Sequence, residues 1–360
     1  MKAVVLVGGQ GTRLRPLTLS TPKPMLPVVE VPMIERVAMH LAAHGVGEIV
    51  LSMGYRPDAF AEAFPDGTAA GVRLSYAVEP EPLDTGGGIA FAARHAGLED
   101  GDEAFLVVNG DVLSDWDLSA LMTFHRARGA DATIALTPVD DPSAFGVVAT
   151  DARGRVQAFV EKPPAGTAPS NEIKAGFYVF EPRVLSRLPV DTPVHIESVT
   201  FPAMARDGVL YAMASDAYWT DTGTASLFLQ ANLDLVSLRT LGLPGAGQRN
   251  DGVWVAGGPV IDGTVESPAF VGEAAYVGSG AVVARSVVGA GARVERDALV
   301  EGSVLLPGAL VHQGAEVRGS IVGAGAVVGA GARLSGLTVV QGGAEVPNGA
   351  VLDGERVLAA

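Results

Sequence analysis

The stretch "VGGQGTRLRPLTLSTPKPM", Val7–Met25, brings Gly8, Gly9 and Gly11 close to Arg13, Arg15 and Lys23. No Asp or Glu precedes Glu30, yet the 360-residue chain holds 25 Lys and Arg against 40 Asp and Glu, a formal net charge of −15. Glycines after a first strand let backbone N–H groups approach phosphate oxygens. Arginine adds forked donors and lysine a point charge. A basic loop in an acidic chain is therefore read as a local site for a polyanion. It is neither of two familiar phosphate loops. The pattern G-x-x-x-x-G-K-[ST] is absent, and Gly9-Gln10-Gly11-Thr12-Arg13-Leu14 lacks the third glycine of a dinucleotide loop.

Carboxylates are the second group able to do chemistry. Asp111 ends the apolar run "FLVVNGD", which predicts a position at the C-terminal edge of a sheet, where α/β sites form. Asp221 stands in "YWTDTG". Asp115 and Asp117 lie near Asp111, but "SDWDLSAL" reads as a helix N-terminus. Glu161 and Lys162 form an acid–base pair in "FVEKP".

Two kinds of element must position these groups. Up to about residue 238, short apolar runs ("KAVVLV", "EIVLSM", "AFLVVNGD", "DATIALTPV") alternate with helical spacing, as in "PMIERVAMHLAAHG". This predicts an α/β domain with a mostly parallel, Rossmann-like sheet, closed by a helix over 225–238. "GLPGAGQRNDG" has the composition of a linker. Beyond it, aliphatic residues recur every six positions: Val288, Val294, Val300 and Leu306, then Val322, Val328, Leu334, Val340, Val346 and Leu352. Three hexads per coil predict a left-handed parallel β-helix, with small residues ("VGAGAR") at the corners. The step from Leu306 to Val322 is 16 residues, so one irregular coil is expected there. The domains are thus 1–240, a linker over 241–252, and 253–360.

Composition narrows the classes. The chain has no cysteine, which excludes disulfides and thiolate metal sites and suits a reducing cytoplasm. No apolar run reaches membrane-spanning length, and Ala3–Val7 is too short for a signal-peptide core. The negative charge argues against nucleic acid as a partner. A cytoplasmic enzyme with neither nucleic-acid nor membrane partner is the expectation.

"GGQGTRLRPLTLSTPKPM", followed in order by "VPMIERVAMHLAAHGV", "EPLDTGGGI", "VVNGDV", "FGVVATD", "FVEKP", "KAGFYVF" and "YWTDTG", resembles the sugar-1-phosphate nucleotidylyltransferases over residues 1 to about 240. The resemblance implies that a nucleoside triphosphate and a sugar 1-phosphate give a nucleotide sugar and pyrophosphate. It assigns Arg13 and Lys23 to catalysis. Leu6, Gly8, Gly9, Gln10, Gly11, Thr12, Glu79, Asp84, Thr85 and Gly86 go to the nucleotide. Gly110, Gly146, Glu161, Lys162, Lys174 and Gly176 go to the sugar phosphate, and Asp111 and Asp221 to Mg²⁺. Arg15 is open between phosphate contact and a structural ion pair.

Two positions depart from the usual family pattern. Lys174 stands where an asparagine is common, so it either reaches the sugar or its phosphate or turns outward. Asp84 stands where a glycine is common, and its carboxylate could alter base or ribose contacts. Among family members, the pattern is most like those that transfer a guanylyl group from GTP to mannose 1-phosphate. Glu79, an acceptor-only side chain, would suit the N1–H and N2–H₂ donors of guanine, unless it pairs with a neighbour. Thymidylyl or uridylyl transfer to glucose 1-phosphate is the alternative. A hexapeptide acyltransferase using His312, or a non-catalytic nucleotide-sugar-binding subunit, are readings from other classes. The β-helix, with its open end and flat faces, is expected to make a homo-oligomer.

Overall fold

The computed structural model describes every residue except 55, 56, 190, 191, 238 and 240–247. Most of the expected linker therefore lies outside the described residues. The chain forms two compact units: residues 1–9 with 34–219, and residues 10–33 with 220–360.

The first unit is built on one sheet. Its main strands are β1 (Lys2–Leu6), β2 (Glu48–Met53), β3 (Val72–Val78), β4 (Phe105–Asn109), β5 (Ala132–Pro138), β6 (Gly146–Thr150), β7 (Val156–Glu161), β8 (Glu172–Phe180) and β9 (Leu210–Ala214). They run in the order β7-β6-β8-β4-β1-β2-β3, with β5 against β8 and β9 against β5. The centre, β4-β1-β2-β3, is parallel, as is the β9–β5 pair. Strands β6, β7 and β8 pair antiparallel, and β8 is antiparallel to both β4 and β5. The Rossmann-like sheet thus has a parallel centre flanked by antiparallel strands. A tight hairpin explains part of this. Gly154 takes φ 78 and its N–H reaches the Asp151 carbonyl at 2.9 Å, so β6 returns directly as β7 without a crossover helix.

Helices α1 (Met33–Ala43), α2 (Asp84–His95) and α3 (Leu118–Arg128) lie where apolar spacing and caps place them. Asp117 caps α3, accepting from the Ala120 N–H at 2.9 Å, so this acid is a helix cap, as its local sequence suggests. Ile89, Phe105, Ile134, Tyr178, Phe180 and Phe201 belong to the core. Strand β8 has a register shift between Lys174 and Tyr178, with Gly176 at φ 80 between them. A break of this kind in the ladder re-aims side chains beside a site.

The second unit contains three parallel sheets that wind through successive coils. Val271, Val288, Leu305, Val322 and Val340 stack on one face. Val277, Val294, Val311, Val328 and Val346 stack on the second. Val283, Val300, Val317, Leu334 and Leu352 stack on the third. This is the left-handed β-helix expected from the hexads, with one correction. Leu305, not Leu306, continues the stack, and the coil is shortened to two six-residue steps and one of five. The same five-residue step recurs at Val283–Val288, Val300–Leu305 and Val317–Val322, whereas the coil from Val322 to Val340 keeps three six-residue steps.

A ladder of hydroxyls holds that corner. Ser286, Ser303 and Ser320 are fully buried. The Ser303 N–H donates to Ser286 Oγ, and the Ser320 N–H to Ser303 Oγ, each at 3.1 Å. Arg285, Gly302 and Gly319, just before them, take left-handed φ of 48, 56 and 52. Recurrent "RSVV", "GSVL" and "GSIV" carry this signal in the sequence.

The loop 10–33 and helix α4 (Ala225–Val236) complete this unit. The helix ends two residues before the expected Leu238, which lies outside the described residues. Asn232 Oδ1 accepts the Val29 N–H at 2.8 Å. Leu17, Ser20, Thr21, Leu26 and Pro27 face Leu306, Gly323, Ala324 and Gly342 across a cleft. Val29 and Glu30 both take positive φ, 47 and 67, and the Glu30 carboxylate would lie 2.0 Å from a Cβ on Gly272. Only glycine is accommodated there.

Ser303→Ala is expected to strand the buried Ser320 N–H and to lower β-helix stability by about 1–3 kcal/mol. Chemical denaturation checks this; a loss below about 0.5 kcal/mol would show that the ladder carries little net energy.

Candidate active site

In the second unit, Gly11 takes φ 58, and a Cβ there would approach Thr18 Cγ2 at 3.0 Å and Lys23 Cβ at 3.1 Å. Its carbonyl accepts from Thr18 Oγ1 at 2.8 Å. The loop then folds through three short 3-10 turns, Thr12–Leu14, Leu17–Leu19 and Lys23–Met25. Glycine at 11 thus lets the chain double back until the stem of Lys23 lies under its own entry. Lys23 is buried, with Nζ 3.9 Å from Asp221 Oδ1. Asp221 also accepts the Gly223 N–H at 2.7 Å. A Cβ on Gly223 would meet both Arg13 Nη2 and Asp221 Oδ1 at 2.7 Å. Arg13, Lys23 and Asp221 are therefore gathered around one short turn. Arg15 is exposed and, among the described residues, its guanidinium reaches Gln10 Oε1 at 3.5 Å. Gln10 and Thr12 are exposed.

In the first unit, Leu6 ends β1, and Gly8 and Gly9 follow it exposed, Gly9 at φ 123. Gly110 donates to the Leu6 carbonyl at 2.9 Å, and a Cβ there would lie 2.7 Å from Val7 Cγ1. Its glycine serves close packing of β1 and β4, from which Asp111 emerges at the C-terminal edge.

Glu79 turns inward. Its Oε1 accepts from Ser52 Oγ at 2.7 Å and its Oε2 from the Leu83 N–H at 3.0 Å. These contacts close the loop into α2. Glycines 86, 87 and 88 are also packing residues. A Cβ would meet Val194 Cγ1 at 2.7 Å, Thr192 O at 2.8 Å and Glu79 Oε1 at 2.8 Å, respectively. Asp84, at φ 56, lies 3.6 Å from His195 Nε2. Thr85 Oγ1 donates to Glu197 Oε2 at 2.6 Å.

The candidate sugar recess lies around Gly146, where three side chains crowd the backbone. A Cβ there would lie 2.7 Å from Glu161 Oε2, 2.9 Å from Phe159 Cζ and 3.2 Å from Lys174 Cδ. Gly176 packs on Asn109, where a Cβ would meet Nδ2 at 3.0 Å. Phe145 meets Trp219 edge to face with centroids 6.0 Å apart, and Trp219 Nε1 donates to the Ala175 carbonyl at 2.8 Å. Glu161 Oε2 is buried and has no hydrogen-bond partner among the described residues. Lys162 is largely exposed at φ 48, with Nζ 3.9 Å from Glu161 Oε1.

Lys174 does not turn outward. It forms a tight ion pair with Glu197. Burial pushes the Glu197 carboxyl up, but the Lys174 charge and the hydrogen bonds from Lys174 and Thr85 outweigh it and hold the group ionised. Tyr178 is fully buried near Glu197, Glu161 and Asp111. Burial first, then these charges, push its phenol well above the ordinary value, so it stays a donor. Neither Glu197 nor Tyr178 was singled out from sequence. "HIES" carries no glycine or charge cluster that would mark it. On the β-helix, His312 Nδ1 lies 2.9 Å from Glu295 Oε2 at the surface.

For a metal, Asp111 and Asp221 each offer hard carboxylate oxygens of the kind that suits Mg²⁺. Among the described residues no group of three or more His, Cys, Asp or Glu gathers. That fits an ion held by one or two carboxylates plus substrate phosphates, as Mg²⁺ is.

Comparison with known proteins agrees with the fold. Residues 2–237 match the nucleotidyl transferase family, and residues 265–360 match the GMPPB C-terminal domain. The chain belongs to the nucleotidyl transferase family, an enzyme family that acts on nucleoside triphosphates and sugar phosphates and generally uses a divalent metal. It is 44% identical to the mannose-1-phosphate guanylyltransferase of Mycobacterium tuberculosis over 77% of this chain and 76% of that protein. It is 38% identical to mannose-1-phosphate guanylyltransferase 1 of Arabidopsis thaliana over 77% and 75%. Among solved structures, HddC from Yersinia pseudotuberculosis, also solved with GMP-PN, aligns with TM-score 0.54 at 28% identity over 64% of this chain and 97% of that one.

Gly146→Ala is expected to displace the Glu161 carboxylate and raise KM for the sugar phosphate about tenfold or more, with the nucleotide KM within about twofold. Steady-state kinetics with each substrate varied checks this. An unchanged sugar-phosphate KM would remove Gly146 from the site.

Proposed function

We propose that this enzyme transfers the guanylyl group of GTP to mannose 1-phosphate, giving GDP-mannose and pyrophosphate with Mg²⁺. The observation that carries the reading is the likeness to relatives named for that reaction across three quarters of the chain. The HddC complex with a guanine nucleotide supports it.

The chemistry asks little of the protein beyond charge and alignment. A phosphate oxygen of mannose 1-phosphate, already ionised, attacks the α-phosphorus of GTP. The bond to the pyrophosphate oxygen breaks, and its electron pair leaves with pyrophosphate. No general base is required. Bringing two polyanions together dominates the barrier. Lys23 is suited to neutralising the α-phosphate because its ammonium is held in a partly desolvated place, where charge acts more strongly than in water. The exposed Arg13 is suited to the phosphates that leave. Glu161 Oε2 is an unfilled acceptor for a sugar hydroxyl, and Lys162 a cation for the sugar phosphate. Mg²⁺, held by Asp111 and Asp221, would screen charge between the two substrates. Guanine recognition is assigned to groups other than Glu79, whose oxygens are engaged.

The cytoplasm is the proposed location; among the described residues no helix is long and apolar enough to cross a membrane. The proposed domain division is 1–240, 241–252 and 253–360, with the β-helix making a homo-oligomer.

A pyrophosphate-release matrix of four nucleoside triphosphates against several sugar 1-phosphates tests the assignment. GTP with mannose 1-phosphate should be fastest, chelator should abolish release, and Lys23→Met should lower kcat about 100-fold or more. Faster turnover of dTTP or UTP with glucose 1-phosphate would overturn it. Truncation after Gly252 should reduce the particle to a monomer. It should also lower kcat, because Leu17, Leu26 and Pro27 of the phosphate loop lose the coil they face. Size-exclusion chromatography with an activity assay reads both effects; an unchanged oligomer would sink the assembly role.

A further inference from the structure

We propose that Glu197 is a positioning residue for the sugar-phosphate site: it holds the Lys174 ammonium away from Glu161 and so keeps Glu161 Oε2 open to substrate. The inference rests on the sugar-site reading above.

Lys174 and Glu161 share one small space. The stem of Lys174 and the Oε2 of Glu161 lie 3.2 Å and 2.7 Å from the point where a Gly146 Cβ would stand. Glu161 Oε2 is buried and unpartnered among the described residues. A lysine on a flexible stem beside such an oxygen would close on it, because a buried charge gains more from an ionic hydrogen bond than from any neutral contact. It does not, because Glu197 takes the ammonium first. The Lys174 and Glu197 side chains are only 18% and 10% exposed, so neither charge has water as a ready substitute.

Glu197 is itself fixed from a second side. Its other oxygen accepts from Thr85 Oγ1 at 2.6 Å, and Thr85 Oγ1 accepts the Ile196 N–H at 3.1 Å. The backbone of the same segment is tied down by Gly86, whose N–H donates to the Val194 carbonyl at 2.8 Å. Thr85 and Gly86 thus brace the segment that carries Glu197. The carboxylate competes with Glu161 from a rigid frame, and the ion pair turns Lys174 into a neutral wall element rather than a free cation in the recess.

Three variants test this with the sugar 1-phosphate that the wild type turns over best. Glu197→Gln releases the ammonium onto Glu161, so KM for the sugar 1-phosphate should rise about tenfold or more while the nucleotide KM stays within about twofold. Lys174→Gln with Glu197→Gln removes both charges and should restore the sugar KM to within about threefold of wild type. Lys174→Gln alone should raise the sugar 1-phosphate KM less than Glu197→Gln does, since no ammonium is left to close on Glu161. An unchanged KM in Glu197→Gln, or a double variant no better than it, would overturn the proposal. So would a Lys174→Gln defect as large as that of Glu197→Gln, which would make Lys174 a direct substrate ligand. If Glu197→Gln does not fold, as judged by circular dichroism, Glu197→Ala takes its place with the same overturning outcomes. Failure of the guanylyl assignment would appear in the wild-type substrate matrix; failure of this inference would appear only in the variant ratios.

Discussion

A buried ammonium beside a carboxylate, Lys23 against Asp221, is the contact on which the proposed phosphate end of the site depends. Lysine is seldom buried, because desolvation disfavours its charge. It persists here because the loop 10–33 is folded tightly around it. Gly11 supplies the left-handed turn and the space for the lysine stem. Gly223 leaves room for Arg13 beside the same aspartate. An acidic protein thus holds fixed positive charge at one place, which is what joining two polyanions requires.

That loop is organised with the β-helix, in the unit of residues 10–33 and 220–360. The β-helix is therefore more than an appendage to a catalytic domain. Three of its successive coils have six-, six- and five-residue steps, and their short corner is held by buried serines that pass one hydrogen bond to the next coil. Glu30 enters a corner where Gly272 has no side chain, and Asn232 fastens the turn before it. A regular, stiff solenoid gives the basic loop a firm seat, and stiffness matters where electrostatic preorganisation is the main catalytic resource.

The recess in the first unit follows a different logic. Its acceptor, Glu161, stays open because neighbours satisfy one another. Lys174 takes Glu197, Glu197 takes Thr85, and Glu79 takes Ser52 and the Leu83 N–H. Low dielectric makes each unmade bond costly, so the one left unmade stands out. The register shift in β8 at Gly176 places Lys174 and Tyr178 in this recess from a strand that would otherwise alternate regularly.

Much of this was legible in the residues alone. Apolar period two and period 3.6 located β1, β2, β4, β5, α1 and α4. The hexads located the β-helix, and the ordered motifs identified the family and its basic loop. Those signals are local, and each states its physics within a few residues. Other features were not local. The antiparallel strands arose from a hairpin at Gly154 that merged with the surrounding β pattern, and the five-residue corner was hidden because Leu306 follows Leu305 with equal hydrophobicity. Ser52 and Glu197, the partners of Glu79 and Lys174, stand 27 and 23 residues away and outside the ordered family motifs. Sequence determined which charges the protein owns and where the chain turns, because those follow from residue type and short-range sterics. Only the tertiary structure decided which charges meet, because pairing in a buried place depends on which distant segments exclude water together.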